Sequence, residues 1–510
     1  MSEISTMKEL LVLGRDDAVA IAAPGRPSLT YQGLRDHVQR TVVTLNRLGI
    51  GRNDRVAIVL PNGPQMATAF VAIAAGATTA PLNPAYRKAE FEFYLTDLGA
   101  KALLVEAGSK SPALEVAAAL QIPVLEISTA ADAPAGLFEI KLASDALASQ
   151  PATNAGFAEP DDIALVLHTS GTTSRPKIVP LTQRNVCASA RNVSKNLTLT
   201  PTDRCLNIMP LFHIHGLIAA VSSSLYAGAS VCCTPGFDAL QFFAWMAEAK
   251  PTWYTAEPTM HQAILTRAGR NAEIIDNTKL RFIRSSSSSL PTPVMEELER
   301  TFGAPVIEAY GMTEAAHQMA SNPLPPRPRK PGTVGVAAGP EVAIMDQQGS
   351  LLPADAVGEI VIRGINVTPG YENNPKANAE NFTNGWFRTG DQGSMDADGY
   401  LTISGRLKEI INRGGEKISP REVDDVLMEH PAVRQVVTFA MPHAKLGEDV
   451  AAAVVLREGV GVTERELRDF AATRLADFKV PRKILFLEEI PKGATGKLQR
   501  IGLAEKLGIG

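Results

Sequence analysis

Short runs of β-branched and aliphatic residues alternate with helix-patterned stretches through most of this chain, and that alternation restricts the folds open to it more than any other feature. RVAIVL (55–60) reads as a buried strand, and the Ala-rich segment from Pro64 to Gly76 reads as a helix with proline near its start and glycine near its end. ALLVE (102–106) and IALVLHTS (163–170) repeat the strand signal. Strands separated by helices need crossover connections, so the expected fold class is α/β with mainly parallel sheets. At 510 residues the chain exceeds one ordinary core, and at least one further unit is expected.

That unit begins where the texture changes, after about residue 404. GRLKEIINRGGEKISPREVDDVLMEHP (405–431) opens with charges and glycines. It then enters a helix with Ser419 as N-cap, Pro420 at the first position and Glu422 completing a capping box. Two strand-like runs follow, VVTFAMP and DVAAAVVLRE, and then a second capping box from Thr463 to Glu466. The expected organisation is a large domain over 1–404 and a small α+β domain over 405–510, with the charged, glycine-rich entry near Lys408 suited to a hinge.

The remaining bulk properties exclude several classes. A net charge of −4 gives no overall attraction to nucleic acid or to anionic membranes. Four cysteines, at 187, 205, 232 and 233, have neither disulfide-framework nor zinc-site spacing and suit a reducing compartment. The opening MSEISTMKELL lacks the apolar core of a secretory leader, and the closing Gly-Ile-Gly is no peroxisomal address. The most apolar stretches, near 66–82 and 214–233, are interrupted by Gly, Thr and Ser and fall short of a membrane span. A cytoplasmic enzyme with small-molecule partners is therefore expected.

Chemistry concentrates in a few strings. LHTSGTTSRPKIVPLT (167–182) leaves an apolar strand and presents Thr169, Ser170, Gly171, Thr172 and Thr173 ahead of Lys177. Unhindered amides, hydroxyls and an ammonium form a cradle for a polyphosphate, although such runs are as often plain loops. EAYGMTEAAH (308–317) places Tyr310, Gly311, Thr313 and Glu314 at the end of another strand, and WFRTGD (386–391) places Asp391 after a Thr-Gly turn. PKGATGK (491–497) resembles a phosphate loop at first sight. Only two residues separate Gly493 from Gly496, however, and Leu498 follows Lys497, so it is not a Walker A loop.

In this order and over this length, these strings resemble the adenylate-forming acyl-CoA synthetases, the superfamily that includes firefly luciferase and the adenylation domains of peptide synthetases. The resemblance covers nearly the whole chain. It implies a large N-terminal domain of packed sheets and helices, a small mobile C-terminal domain, and ATP, Mg²⁺ and CoA as cofactor and co-substrates. A carboxylate attacks the α-phosphorus of ATP to give acyl-AMP and pyrophosphate, and a thiol then displaces AMP. The resemblance also implies the roles of individual residues. The 169–177 loop would hold the β- and γ-phosphates. Thr313 would contact the α-phosphate, Glu314 would coordinate Mg²⁺, Tyr310 would stack on adenine, and Asp391 and Arg406 would hold ribose hydroxyls. Lys497 would be the catalytic lysine of adenylation and Lys408 the hinge. Gly414 and Gly415 would form the face presented in the second step. An acetyltransferase acting on Lys497 would remove its charge.

The acid is read from the pocket strings. In MPLFHIHGL (209–217) the resemblance implies His213 as a gate residue, with His215 read equally as packing or function. RFIRSSSSSLP (281–291) has five serines after Arg284, and His317 lies three residues beyond Glu314. Serine hydroxyls and imidazoles suit a small polar acid better than a fatty tail, because buried polar groups without partners are costly. Together with NPLPP, NRGGEKISP and FKVP, these strings resemble the oxalate-CoA ligase branch, with Ser287, His213 and His317 as candidate acid contacts. The chain departs from that pattern at Gly311, where alanine is expected, and in the unbroken serine run. Open alternatives are a ligase for malonate or a coumarate-like acid, and an enzyme that loads a carrier protein.

Overall fold

The computed structural model describes residues 4–143, 151–169, 176–491 and 498–510. Ser170, Gly171, Thr172, Thr173 and Lys497 lie outside the described residues. The chain forms two compact units. The larger comprises Met1–Thr169, Ile178–Glu341 and Arg363–Glu380; the smaller comprises Ser170–Lys177, Val342–Ile362 and Asn381–Gly510. Compactness thus groups 342–362 and 381–404 with the C-terminal residues, although the sequence placed them before the expected boundary at 404.

The larger unit contains a seven-stranded and a nine-stranded sheet. In the first, Arg55–Val59 pairs in parallel with Thr78–Pro81 and Ala102–Glu106, and antiparallel pairs close both edges. The helix Pro64–Ala74 has proline in its first turn and is buried from Met66 to Ala74, as expected of a helix apolar all round. The centre of the second sheet is parallel. Arg204–Asn207, Trp253–Ala256, Phe282–Ser285 and Val306–Met312 lie side by side in that order. Alternation along these strands sends Tyr254 and Ile283 into one core. The other face takes Trp253, whose ring lies 5.3 Å from that of Phe282, together with Thr255 and Arg284, which are register partners.

The smaller unit contains two largely antiparallel five-stranded sheets. In one, Val433–His443 and Gly447–Leu456 form a long hairpin, and Val423, Leu427, Leu467 and Ala471 from two helices share its core. Both helix starts fall where the sequence puts them. Thr463 and Glu466 form the reciprocal capping box. At Ser419 only half of it forms: the Glu422 amide donates to Ser419 Oγ at 3.4 Å, while the Glu422 carboxylate turns to Lys479 Nζ at 2.6 and 2.8 Å. A charge-assisted partner outcompetes a neutral backbone amide.

Candidate active site

One polar group of the larger unit is built on a buried arginine. The side chain of Arg284 is fully buried in the middle strand Phe282–Ser285. One terminal nitrogen donates to His215 Nε2 at 3.2 Å; the other donates to His317 Nε2 at 2.9 Å and to Gln318 Oε1 at 3.2 Å. Thr255 Oγ1, from the adjacent strand, lies 2.6 Å from the same His215 nitrogen. The other ring nitrogen of His215 meets Ser287 Oγ at 2.9 Å. The two imidazoles stack with centroids 5.1 Å apart. Burial pushes the guanidinium pKa down to about 9. Arg284 still carries its charge at neutral pH, and fully buried Leu206, Ile208, Tyr254 and Ile283 hold its sheet in place. Each buried Leu or Ile contributes roughly 1.5–3 kcal/mol, and several together offset the desolvation of one guanidinium.

Local geometry explains how three distant strings converge. His215 begins a π-helical segment, His215–Ser222, a feature frequent at functional sites. Gly216 lets that segment approach closely, because a Cβ there would lie 2.5 Å from the Pro210 carbonyl oxygen. Ser287, Ala316 and His317 have φ of 77°, 47° and 96°, conformations that cost roughly 1–3 kcal/mol each for residues other than glycine. Gly311 admits the last of these. Its Cβ would fall 1.7 Å from the His317 carbonyl oxygen, where Val306–Met312 turns back along His317–Ser321 through a register shift at Tyr310 and Gly311. The departure from alanine at this position therefore has a steric cause.

Beside this group, Thr313 and Glu314 occupy the short 3₁₀ turn Thr313–Ala315. Glu314 is buried, and its carboxylate accepts a hydrogen bond from Tyr371 Oη at 2.7 Å. Burial, and then the carboxylate itself, push the Tyr371 hydroxyl pKa far up, so it remains a donor. No group of three or more His, Cys, Asp or Glu that could hold a metal occurs among the described residues. A single buried carboxylate fits Mg²⁺, which takes one or two carboxylates and completes its shell with water and substrate phosphates.

The sequence strings point to Ser287, His317, Gly311, Thr313 and Glu314, and the structure brings His317 directly onto Arg284 and Ser287 to it through His215. Tyr310, Thr169 and His213 are half-buried, and the His213 ring lies 6.4 Å from that of Phe212. The imidazole that reaches Ser287 is that of His215. The motif strings assign no site role to Arg284, Thr255, Gln318 or Tyr371. A charged residue inside a short strand, directly after Phe282 and Ile283, is the available signal for Arg284.

In the smaller unit Asp391 and Arg406 are cross-strand partners, with Arg406 Nε 3.3 Å from Asp391 Oδ1. Asp391 is buried and its amide hydrogen-bonds Thr389 Oγ1 at 3.1 Å. Lys177 is half-buried, directly before the strand Ile178–Thr182. Lys408 is exposed in the turn Leu407–Glu409. Gly414 and Gly415 form the two-residue tip between Ile411–Arg413 and Glu416–Ile418, with φ of 61° and 102°. Both positions of such a turn require positive φ, which is why glycine fills them.

Comparison with known proteins bears on these residues together. The model of the AMP-binding enzyme family matches residues 12–372, and that of the AMP-binding enzyme C-terminal domain matches residues 422–497. The chain is 47% identical over 489 residues to an oxalate–CoA ligase of Arabidopsis thaliana, covering 95% of this chain and 94% of that protein. It is 43% identical over 465 residues to an oxalate–CoA ligase of Saccharomyces cerevisiae, covering 87% of this chain and 85% of that protein. Among solved structures, ATP-bound MatB from Rhodopseudomonas palustris superposes with a TM-score of 0.88 at 29% identity, covering 98% of each chain. With family models matching most of its length and relatives this similar, the chain belongs to the AMP-binding enzyme family.

Proposed function

We propose that this protein is an ATP-dependent, AMP-forming acid–thiol ligase that joins oxalate to CoA through an oxalyl-adenylate. The observation that carries the choice of acid is the buried group of Arg284, His215, His317 and Ser287. Hydrogen-bond donors on a buried positive centre favour a substrate with a second carboxylate and reject a hydrocarbon tail. The similarity to oxalate–CoA ligases supports the same reading.

In the first half-reaction one oxalate carboxylate attacks the α-phosphorus and pyrophosphate leaves. Phosphoryl transfer of this kind depends on positioning and charge neutralisation. The 169–177 loop with Lys177 would hold the outer phosphates, Thr313 the α-phosphate, Tyr310 and Gly311 the adenine face, and Asp391 with Arg406 the ribose. Glu314, steadied by Tyr371, would hold Mg²⁺, which when bound neutralises phosphate charge. Lys497 would bridge carboxylate and α-phosphate, a contribution of roughly 3–4 kcal/mol for such a donor. In the second half-reaction the 405–510 domain would rotate about Lys408, withdraw Lys497 and present Gly414 and Gly415 to the acyl-adenylate. Acetylation of Lys497 would then stop adenylation first.

The test is an AMP-forming, CoA-dependent assay with oxalate, malonate, acetate and coumarate. Oxalate is expected to dominate, and activity with coumarate but none with oxalate would sink the proposal. Pyrophosphate exchange with oxalate but no CoA consumption would point to carrier-protein loading. Lys497→Ala should lose adenylation by about 100-fold or more while using supplied oxalyl-AMP far better; equal loss in both steps would refute the alternation.

A further inference from the structure

Arg284 is fully buried, yet among the described residues no carboxylate is a hydrogen-bond partner and its Nε has none; the acceptors around it are two imidazoles, a hydroxyl and an amide oxygen. A guanidinium only donates. Both His Nε2 atoms must therefore accept, and each neutral imidazole carries its proton on Nδ1. For His215 that proton faces Ser287 Oγ at 2.9 Å. Ser287 thus accepts from the ring and turns its own hydrogen elsewhere. The polarity of the whole row is set from one end: the buried charge orients His215, His215 orients Ser287, and Ser287 is the partly exposed member.

We propose that Arg284 is the specificity-determining positioning residue of the acid site. It locks His215 and His317 as Nδ1–H donors and leaves a buried positive charge for the far carboxylate of a short dicarboxylate to neutralise. This deepens the oxalate reading and rests on it. A purely structural arginine would be expected to end on a carboxylate or on backbone carbonyls; this one ends on two imidazoles, a threonine hydroxyl and an amide oxygen, and one of those imidazoles, His317, is held in backbone at φ 96°.

The selectivity test compares oxalate with glyoxylate, which keeps the reacting carboxylate and lacks the second charge. In Arg284→Gln, oxalate kcat/KM should fall about 100-fold, mainly through KM, the scale for removing one partner of a buried charge pair. Glyoxylate should fall far less, so the ratio of the two collapses. Arg284→Lys should recover part of that ratio. Equal losses for both acids would overturn the proposal, because that pattern belongs to a structural role. Should the variants fail to fold, ¹⁵N-histidine spectra of the wild-type protein decide: His215 and His317, assigned with His215→Asn and His317→Asn, should both show the Nδ1–H pattern at pH 7. A proton on Nε2 of either ring would overturn the proposal. A wild-type enzyme that uses glyoxylate or another acid but never oxalate would instead refute the substrate reading, while the spectra still test the arginine.

Discussion

Gly311 and Ser287 show how single residues trade stability for geometry in opposite directions. At Gly311 any Cβ meets the His317 carbonyl, a backbone atom that cannot yield without moving the imidazole. Gly311→Ala is expected to lower stability by roughly 1–3 kcal/mol and to cut oxalate turnover, read by thermal melting and pyrophosphate exchange; an unchanged melting point would contradict this. Ser287 at φ 77° is the converse. Ser287→Gly should relieve strain and raise stability by about 1 kcal/mol while weakening oxalate use, and a loss of stability would show that the strain reading fails. At this scale the motif residues were legible in the sequence, because Tyr310, Thr313 and Glu314 sit in one string. The pairing of Arg284 with His215 is not visible in the sequence, since 69 residues separate them and a parallel sheet register aligns Arg284 with Thr255.

Whole elements were the easiest features to read. The strands 55–59 and 163–168, the helix from Pro64 and the cap residues Ser419 and Thr463 all appear where periodicity and cap chemistry put them. The exception is instructive: the S-x-x-E pattern at 419–422 forms only half a box, because Lys479 reaches Glu422 from 57 residues away. A local pattern states which hydrogen bonds are available, and tertiary neighbours choose among them. Thr463→Ala, which removes an intact box, should cost about 1 kcal/mol and speed amide exchange in the first turn of Glu464–Ala472. Glu422→Ala removes an exposed ion pair and should cost less, within about 0–1 kcal/mol. The opposite ranking in exchange rates would contradict the assignment of the two caps.

For the molecule as a whole, pH is the lever that reaches its buried titratable groups. Burial lowers the pKa of His37 to about 4 and that of His261 to about 3. Both are neutral when folded but take a proton near pH 6.5 when unfolded. The unfolded chain therefore binds more protons below pH 6.5, and stability falls as pH drops from there toward the folded values. Each group should cost on the order of 2 kcal/mol between pH 7 and pH 5. Urea unfolding at the two pH values, followed through buried Trp253, checks this; equal midpoints would contradict it. A second loss begins lower. Burial raises the carboxyls of Asp203 and Asp449, but bonds led by those from Arg281 and Arg413 outweigh it and hold both below their usual value. Their stabilisation is complete above about pH 4 and disappears as pH falls through the depressed values. What the sequence alone determined was the α/β class, the change of texture near residue 404, the family and the strings that carry its chemistry, because strand period, cap chemistry and contiguous motifs are local properties of the chain. Only the tertiary structure decided which segments share a core and which side chains meet Arg284. The pairing of strands far apart in sequence, and the absence of a Cβ at Gly311, set those contacts, and neither effect is visible until the backbone has closed on itself.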